Sequence, residues 1–244
     1  MGKLYDTHFH LDLQKSLPDA LSEIEVNETY TIAVTNLPQL YEKLKNSINS
    51  KYVRVALGFH PELVAQYQKY IPEMWRLLPD AKYIGEVGID LKTSKSSKDI
   101  QISFFKELVY RSNQMGGKIM SIHSRMAAAE VVSIIGEKYN GKIILHWFSG
   151  TKQIQMKAIE NGCYFSINNA MLNSESGRKV IEIIPNDKIL IETDSPFVST
   201  DGFLNKQVVQ IQKSIEHLSV LKKLDSITLQ QILWNNFLSL ISMQ

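Results

Sequence analysis

The chain has 244 residues, with 27 Lys and Arg against 25 Asp and Glu, which gives a formal net charge of +2. Its 44% hydrophobic and 21% charged residues are ordinary globular usage, which excludes disorder along the whole chain. The longest apolar run has four residues and Cys163 is the one cysteine, which excludes a membrane-spanning helix, an internal disulfide and a zinc site made of several cysteines.

Short apolar runs rich in β-formers alternate along the chain with segments whose apolar residues recur at helical spacing. Four strands are predicted at residues 4–7, 30–34, 53–57 and 83–86, and four more at residues 119–122, 143–145, 163–167 and 189–191. Helices are predicted between the strands, for example over 128–135 and 154–159, and two helices over 208–218 and 229–241 close the chain.

Eight strands separated by helices are typical of a parallel sheet with helical crossovers. Eight such units can close into an α/β TIM barrel, the (β/α)8 fold, and a single barrel commonly has about 250 residues. An open doubly wound sheet has the same rhythm, so periodicity alone does not choose between them. We predict one domain over residues 1–244.

Polar residues with metal-binding side chains stand at the ends of the predicted strands, and five of the six histidines share this placement. In a barrel the carboxyl ends of the strands meet at one face, where active sites lie. The placement therefore favours both a closed barrel and a single site. The residues concerned are His8, His10, His60, Glu86, His123, His146 and Asp194.

The first of these groups is Asp6-Thr7-His8-Phe9-His10. Residues i and i+2 of an extended chain point to the same side, so both imidazoles can reach one ion, at about 2.0–2.1 Å if it is zinc. The alternative for this pair alone is two ordinary histidines in a turn. The other groups at strand ends favour metal binding.

Glu86 stands between two glycines at the end of the fourth strand, and a carboxylate at a barrel rim can bridge two cations with one oxygen each. The alternative is a loop acid that accepts hydrogen bonds from backbone amides. Asp90, four residues later, is expected to support a ligand rather than bind metal.

His123 and His146 each supply one imidazole at consecutive strand ends, where a single histidine would more often be a core residue. Asp194 follows the last strand and can bind a metal and accept a proton from a water molecule. Glu192 lies on the same side two residues earlier and is expected to support a histidine or lysine.

Two residues are predicted to face the substrate. His60 is expected to contact a substrate oxygen or protonate a leaving group rather than bind metal, with a structural bond to backbone as the alternative. Arg125 suits a phosphate or carboxylate through its planar fork, unless it is an exposed charge at a helix start. A lysine-rich stretch over 92–98 either meets a phosphate backbone or is a solvated loop. Cys163 is expected to be a buried thiol and His217 a surface residue.

The segments DTHFHLD, GFHP, IGEVGID, HSR, HWFSG and IETDSPF, in this order, resemble the TatD family of metal-dependent deoxyribonucleases, within the amidohydrolase-like barrels. The resemblance implies that His8, His10 and Asp194 hold one divalent ion and that His123 and His146 hold another. It places Glu86 between the two ions, and His60 and Arg125 near the phosphate.

Residues 30–38 and 164–168 are similar to the TatD-like members of Qat antiphage defence systems, which implies that other defence proteins are partners. The chain departs from the family pattern at Glu62, at Leu91 and Lys92, and over residues 198–203. These positions lie on the substrate side, whereas the metal positions are intact.

We therefore expect a cytoplasmic enzyme, without a membrane partner, that uses two divalent ions (Zn, Mn or Mg) to hydrolyse DNA phosphodiester bonds. Its expected catalytic residues are Asp194, Glu86, His60 and Arg125. Two alternatives stay open: a binuclear enzyme that acts on a small ester or amide, and a barrel that serves mainly as an interaction subunit of a defence complex.

Overall fold

The structure, a computed structural model, describes residues 3–93, 95–198 and 206–242. Within these residues eight strands alternate with helices. The strands are β1 (Tyr5–Phe9), β2 (Tyr30–Ala33), β3 (Val53–Val55), β4 (Tyr83–Gly88), β5 (Lys118–His123), β6 (Gly141–His146), β7 (Tyr164–Ile167) and β8 (Ile189–Ile191).

The helices lie between the strands and after β8. They are α1 (Leu17–Val26), α2 (Pro38–Ser47), α3 (Pro61–Val64), α4 (Ile71–Leu77), α5 (Lys98–Met115), α6 (Ala128–Ile135), α7 (Lys152–Glu160), α8 (Asn169–Asn173), α9 (Glu175–Ile183), α10 (Gln207–Lys222) and α11 (Ser226–Ile241).

All strand pairs are parallel, in two hydrogen-bonded runs that follow the chain order, β1-β2-β3 and β4 to β8. A seam between β3 and β4 is closed by Leu57, whose backbone N–H donates to Tyr83 and whose carbonyl accepts from Gly85, both at 2.9 Å. A second seam between β8 and β1 is closed by Thr7 Oγ1, which donates to the Ile191 carbonyl at 3.0 Å. The two seams close the sheet, which confirms the predicted TIM barrel.

The strands are buried on both sides, as a barrel requires. Every residue of β1, β4, β7 and β8 is buried, and the helices cover the outer face with apolar side chains. The largest fully buried side chains include Phe59, Phe105, Phe148 and Phe165. Apolar packing against the helices therefore holds the strands in the barrel.

Two glycines let the backbone pass close to neighbouring strands at the carboxyl face. A Cβ at Gly58 would lie 1.5 Å from the Thr35 carbonyl oxygen, and a Cβ at Gly88 would lie 2.0 Å from that of His123. Gly88 also has φ +141°, which side chains disfavour. These close approaches set the positions of the segments that carry His60 and Glu86.

The predicted strands are all present, and β8 and α6 have the predicted bounds. Among the described residues the structure adds short helical segments that the sequence patterns do not predict, α8 among them. None of the described helices is both long enough and apolar enough to cross a membrane.

Candidate metal centre

The carboxyl ends of the strands surround a cavity of about 620 Å³. Its described lining includes most of the residues predicted at strand ends, namely His60, Glu86, Asp90, His123, His146 and Asp194, together with Arg125. His8 and His10 lie beneath them, fully buried and directed at Glu86 and Asp194. The structure thus brings together side chains from both ends of the chain.

Glu86 is the centre of this cluster, and its two carboxylate oxygens face different histidines. Oε2 lies 3.5 Å from His8 Nε2 and 3.4 Å from His10 Nε2. Oε1 lies 2.7 Å from His123 Nδ1 and 3.4 Å from His146 Nε2. The carboxylate therefore stands between two groups of imidazoles.

Asp194 completes the group at Oε2. Its Oδ1 lies 3.8 Å from His8 Nε2 and 3.5 Å from His10 Nε2. The residue has φ +50°, a conformation that aspartate tolerates in turns, and its backbone N–H donates to the His8 carbonyl at 3.0 Å. This turn directs the carboxylate back over the end of β1.

Three sets of side chains offer ligand atoms that all lie within 4.8 Å of one another: His8, His10 and Asp194; His8, Glu86 and His146; and His60, Glu86 and His123. Two atoms bound to one tetrahedral zinc at about 2.0–2.1 Å would lie about 3.3 Å apart. The separations in the His8, His10 and Asp194 set are close to that spacing. Among the described buried atoms, His8 Nε2 and both ring nitrogens of His10 lack a hydrogen-bond partner. The residues present therefore fit a divalent metal ion.

Hydrogen bonds at the far side of two rings leave the inward nitrogen free to bind a metal. His8 Nδ1 lies 2.8 Å from Ser121 Oγ, and His146 Nδ1 lies 3.1 Å from the Glu192 carboxylate. Because a carboxylate only accepts, His146 Nδ1 carries a proton and donates it to Glu192, and Nε2 is the nitrogen that faces Glu86 and could bind a metal. Glu192 thus supports a histidine, as predicted, in the way that outer carboxylates orient metal ligands.

His123 is held between two carboxylates. Its Nδ1 faces Glu86, and its Nε2 lies 2.8 Å from Asp90 Oδ2. Asp90 Oδ1 also accepts from the backbone N–H groups of Lys92 and Thr93, at 2.9 Å each. Asp90 therefore takes the supporting position expected of it, and joins the imidazole to the lysine-rich loop.

His60 lies closer to the cluster than the sequence leads us to expect, since its Nε2 is 3.4 Å from Glu86 Oε1. Its Nδ1 accepts a hydrogen bond from the Glu62 backbone N–H at 3.3 Å. In the neutral ring the proton is then on Nε2, which leaves no lone pair there for a metal. His60 thus sits among the candidate ligands as a proton donor.

Burial and neighbouring charges shift the pKa values in this cluster in opposite directions. Burial, with the nearby His146 charge, lowers the pKa of His8 to about 4. Burial would also lower the pKa of His10, but the carboxylates of Asp194 and Glu86 raise it to about 9. Burial favours the neutral form of Glu86, yet the surrounding histidines hold its pKa well below the usual value. The cluster therefore holds both a carboxylate and protonated imidazoles at neutral pH.

The structure also describes most of the other residues that the sequence analysis singles out. Arg125 is exposed at the cavity wall, and Glu62 lines the same cavity. Leu91 is buried, so it lines no substrate surface. Cys163 is buried, and burial raises its pKa to about 12, whereas His217 is exposed. Of the segment 198–203, only Val198 lies within the described residues.

Sequence reasoning missed four residues that shape the site. Ser121 orients His8 and lies two residues before His123 on β5, so the i, i+2 rule could have found it. Asn36 follows β2 and lines the cavity, where the strand-end rule applies. Trp147 and Phe197 also line the cavity, and their exposure is a tertiary property.

Comparison with known proteins agrees with this geometry. A family model described as TatD related DNase matches residues 5–242. The uncharacterized metal-dependent hydrolase BU355 of Buchnera aphidicola is 30% identical over 98% of this chain and 99% of its own length. Human deoxyribonuclease TATDN3 is 25% identical over 90% of this chain and 87% of its own.

Among solved structures, YJJV, a TatD homologue from Escherichia coli, matches with a TM-score of 0.86. The match covers 99% of this chain and 98% of that one, at 20% sequence identity. At that sequence identity the match supports the fold and no more.

Proposed function

The chain belongs to the TatD-related DNase family of metal-dependent hydrolases, and from that premise we propose that it cleaves phosphodiester bonds of DNA. The observation that supports this most is the placement of Glu86, with one oxygen toward His8 and His10 and the other toward His123 and His146. A carboxylate placed in this way suits a site for two cations.

The proposal assigns His8, His10 and Asp194 to one divalent ion and His123 and His146 to a second, with Glu86 shared. Mixed imidazole and carboxylate ligands are compatible with Zn, Mn or Mg. Bound divalent ions supply a Lewis acid that polarises a phosphoryl oxygen and lowers the pKa of a coordinated water. In this assignment Ser121 and Glu192 hold the outer Nδ1 of His8 and His146, so that Nε2 of each ring is directed at the candidate metal position.

Two protons have to move during phosphodiester hydrolysis, and the chain offers a group for each. Asp194, as a carboxylate, accepts the proton of the attacking water. His60 carries a proton on Nε2, facing the cavity, and donates it to the leaving oxygen. Arg125 at the wall binds the phosphate through its guanidinium.

The resemblance of residues 30–38 and 164–168 to TatD-like Qat proteins supports a role in antiphage defence, in the cytoplasm, beside other proteins of such a system. Expression of the native operon with Glu86→Gln tests that role in a plaque assay. Protection that persists in the variant contradicts a need for catalysis, and would favour a role as an interaction subunit.

The activity is tested on the purified protein with Mg²⁺, Mn²⁺ or Zn²⁺ and a panel of single- and double-stranded DNA beside small esters and amides. We expect cleavage of DNA, and a loss of at least about a hundredfold in Glu86→Gln and Asp194→Asn with the fold retained by circular dichroism. Glu160→Gln, an exposed acid at the end of α7, is the matched control. Turnover of a small ester without DNA cleavage contradicts the proposal.

A further inference from the structure

A second groove, of about 300 Å³, opens beside the catalytic cavity between α7 and α9. Trp147 and Ser149 line both spaces, so the two are neighbours at the carboxyl face of the barrel. The volume is at the lower end of the range for small-ligand pockets. Nothing in the arrangement of the candidate metal ligands uses this groove.

The groove has an apolar floor and a basic rim. Met171, Val180 and Ile183 line it from α8 and α9, and Lys152 and Lys179 are exposed along its length. None of the described residues that line it carries a carboxylate. Lys179 forms an exposed pair with Glu175, Nζ to Oε1 2.6 Å, a type of pair that contributes little. The groove is thus suited to a flat apolar group attached to an anion.

Trp147 is placed to stack against such a group. It is 39% exposed, although its neighbours His146 and Phe148 are buried. Its backbone has φ +40°, which turns the chain sharply after β6 and separates the directions of His146 and Trp147. The indole therefore forms part of the wall between the candidate metal centre and the groove.

We propose that this groove binds the nucleotide next to the scissile phosphate of a single strand of DNA, with its base against Trp147 and its phosphate toward Lys152. The proposal rests on the function proposed above and adds to it a preference for unpaired DNA. In a duplex the base faces are already stacked, whereas a single strand offers them to an aromatic platform. Lys152 matches the phosphate charge, and Lys179 adds to it because its exposed pair with Glu175 contributes little.

The test compares a short fluorescein-labelled single strand with bis(p-nitrophenyl) phosphate, which has no flanking nucleotide. We expect the ratio of kcat/KM for the oligonucleotide to kcat/KM for the small ester to fall about tenfold to a hundredfold in Trp147→Ala. Trp147→Phe keeps an aromatic face and should retain most of the ratio. Lys152→Ala should lower the ratio several-fold, and less at high salt.

Tyr110→Ala is the matched control, because Tyr110 is an exposed aromatic residue on α5 outside both spaces. An unchanged ratio in both Trp147→Ala and Lys152→Ala overturns the proposal. Equal kcat/KM of the wild type for duplex and single-stranded DNA also overturns it. If the wild type cleaves no DNA, the function proposed above fails, and the groove is judged by fluorescence anisotropy of the same oligonucleotide. Weaker binding by both variants then supports the groove, and equal binding or none overturns it.

Discussion

Glu192 is not one of the candidate metal ligands, yet it acts on His146 through a hydrogen bond and its charge. It is fully buried and accepts hydrogen bonds from Ser166 Oγ, from Asn168 Nδ2 at 2.8 Å and from His146 Nδ1. These donors satisfy the polar atoms of a side chain that is removed from water. Its negative charge in turn contributes to a pKa of His146 well above the usual value, against the effect of burial.

Glu192→Gln should therefore weaken metal binding without removing a ligand. The amide nitrogen of glutamine competes as a donor, so the proton of His146 is no longer fixed on Nδ1. We expect metal affinity to fall about tenfold to a hundredfold, as for other orienting carboxylates. Competition with a chromophoric chelator measures the change, with Glu137→Gln on the surface as control. Unaltered affinity would show that the proton on His146 is fixed by other means.

Glu62 offers a second prediction at the level of one residue. Its carboxylate lines the catalytic cavity, where the proposed substrate brings negative charge. Glu62→Gln keeps the side-chain shape and the backbone N–H bond to His60, and removes one charge that repels the phosphate. We expect KM for DNA to fall a few-fold at low salt, with kcat little changed. A rise in KM would indicate that Glu62 itself contacts the substrate.

Among the structural elements, β5 connects the two ends of the barrel. Lys118 at its start is buried, and its amine donates to the carbonyls of Leu78, Pro79 and Ala81 at 2.7–2.8 Å. His123 at its end lies about 16 Å away for a strand of this length. Lys118 thus stabilises the turn before β4 and does not contact the candidate metal centre.

Lys118→Met keeps the apolar stem and removes the donor from three carbonyls. We expect the free energy of unfolding to fall by about 2–3 kcal/mol, because the bonds come from a charged donor and buried acceptors are left without it. Urea denaturation measures the loss, with Lys106→Met on the exposed side of α5 as control. Activity per folded molecule should stay at the level of the wild type, and a loss would connect this end of β5 to the site.

Elements with strong periodicity could be predicted from sequence, and elements held by specific contacts could not. The strands form continuous apolar runs because a barrel buries both their faces. α8 has five residues, and its stability depends on Asn168, whose side chain accepts from the Met171 backbone N–H, and on packing against α9 and α10. No window of sequence shows such support.

The same division applies to the site. The i, i+2 pattern of His8 and His10 and the strand-end placement of Glu86 can be derived from the chain alone. The tautomer of His60 could not be derived, because it depends on a hydrogen bond made after folding. The exposure of Trp147 likewise depends on how the backbone turns after β6.

At the scale of the whole molecule, three of the candidate ligands, His8, Glu86 and Asp194, stand at the two seams of the barrel. His8 and Asp194 flank the seam between β8 and β1, where the Asp194 N–H donates to the His8 carbonyl. Glu86 follows the seam between β3 and β4, where a single bridge pairs Leu57 with Ile84. A bound ion would therefore link segments that few ladder hydrogen bonds join.

Metal removal should lower the melting temperature of the whole protein for this reason. A ligand that binds only the folded state stabilises it by about 4 kcal/mol at a thousand times its dissociation constant. For a chain of this size we expect a loss of roughly 8–16 °C on chelation. Differential scanning calorimetry with and without EDTA measures it, and re-addition of the ion should restore the transition. An unchanged melting temperature contradicts a metal at the seams.

The effect of chelation should also depend on pH, through the histidines of the metal-free cluster. The pKa of His10 is raised to about 9, so the stability gained from its proton is full below about pH 6.5 and is lost as the pH rises through 9. The pKa of His8 is lowered to about 4. Between pH 6.5 and pH 4 this histidine is therefore protonated in the unfolded chain but not in the folded one, and the free energy of unfolding decreases toward pH 4. The combined contribution of these two histidines to the stability of the metal-free protein should therefore be greatest near pH 6.5.

Each of these two shifts contributes at most about 3 kcal/mol. Metal-bound His10 carries no proton to lose, so the difference in melting temperature between loaded and chelated protein should widen by roughly 5–10 °C from pH 6.5 to pH 9. Calorimetry at a series of pH values measures the difference. In His10→Gln the melting temperature of the chelated protein should decrease less between pH 6.5 and pH 9. A difference that stays constant across this range would mean that Glu86 and Asp194 do not keep His10 protonated in the metal-free fold.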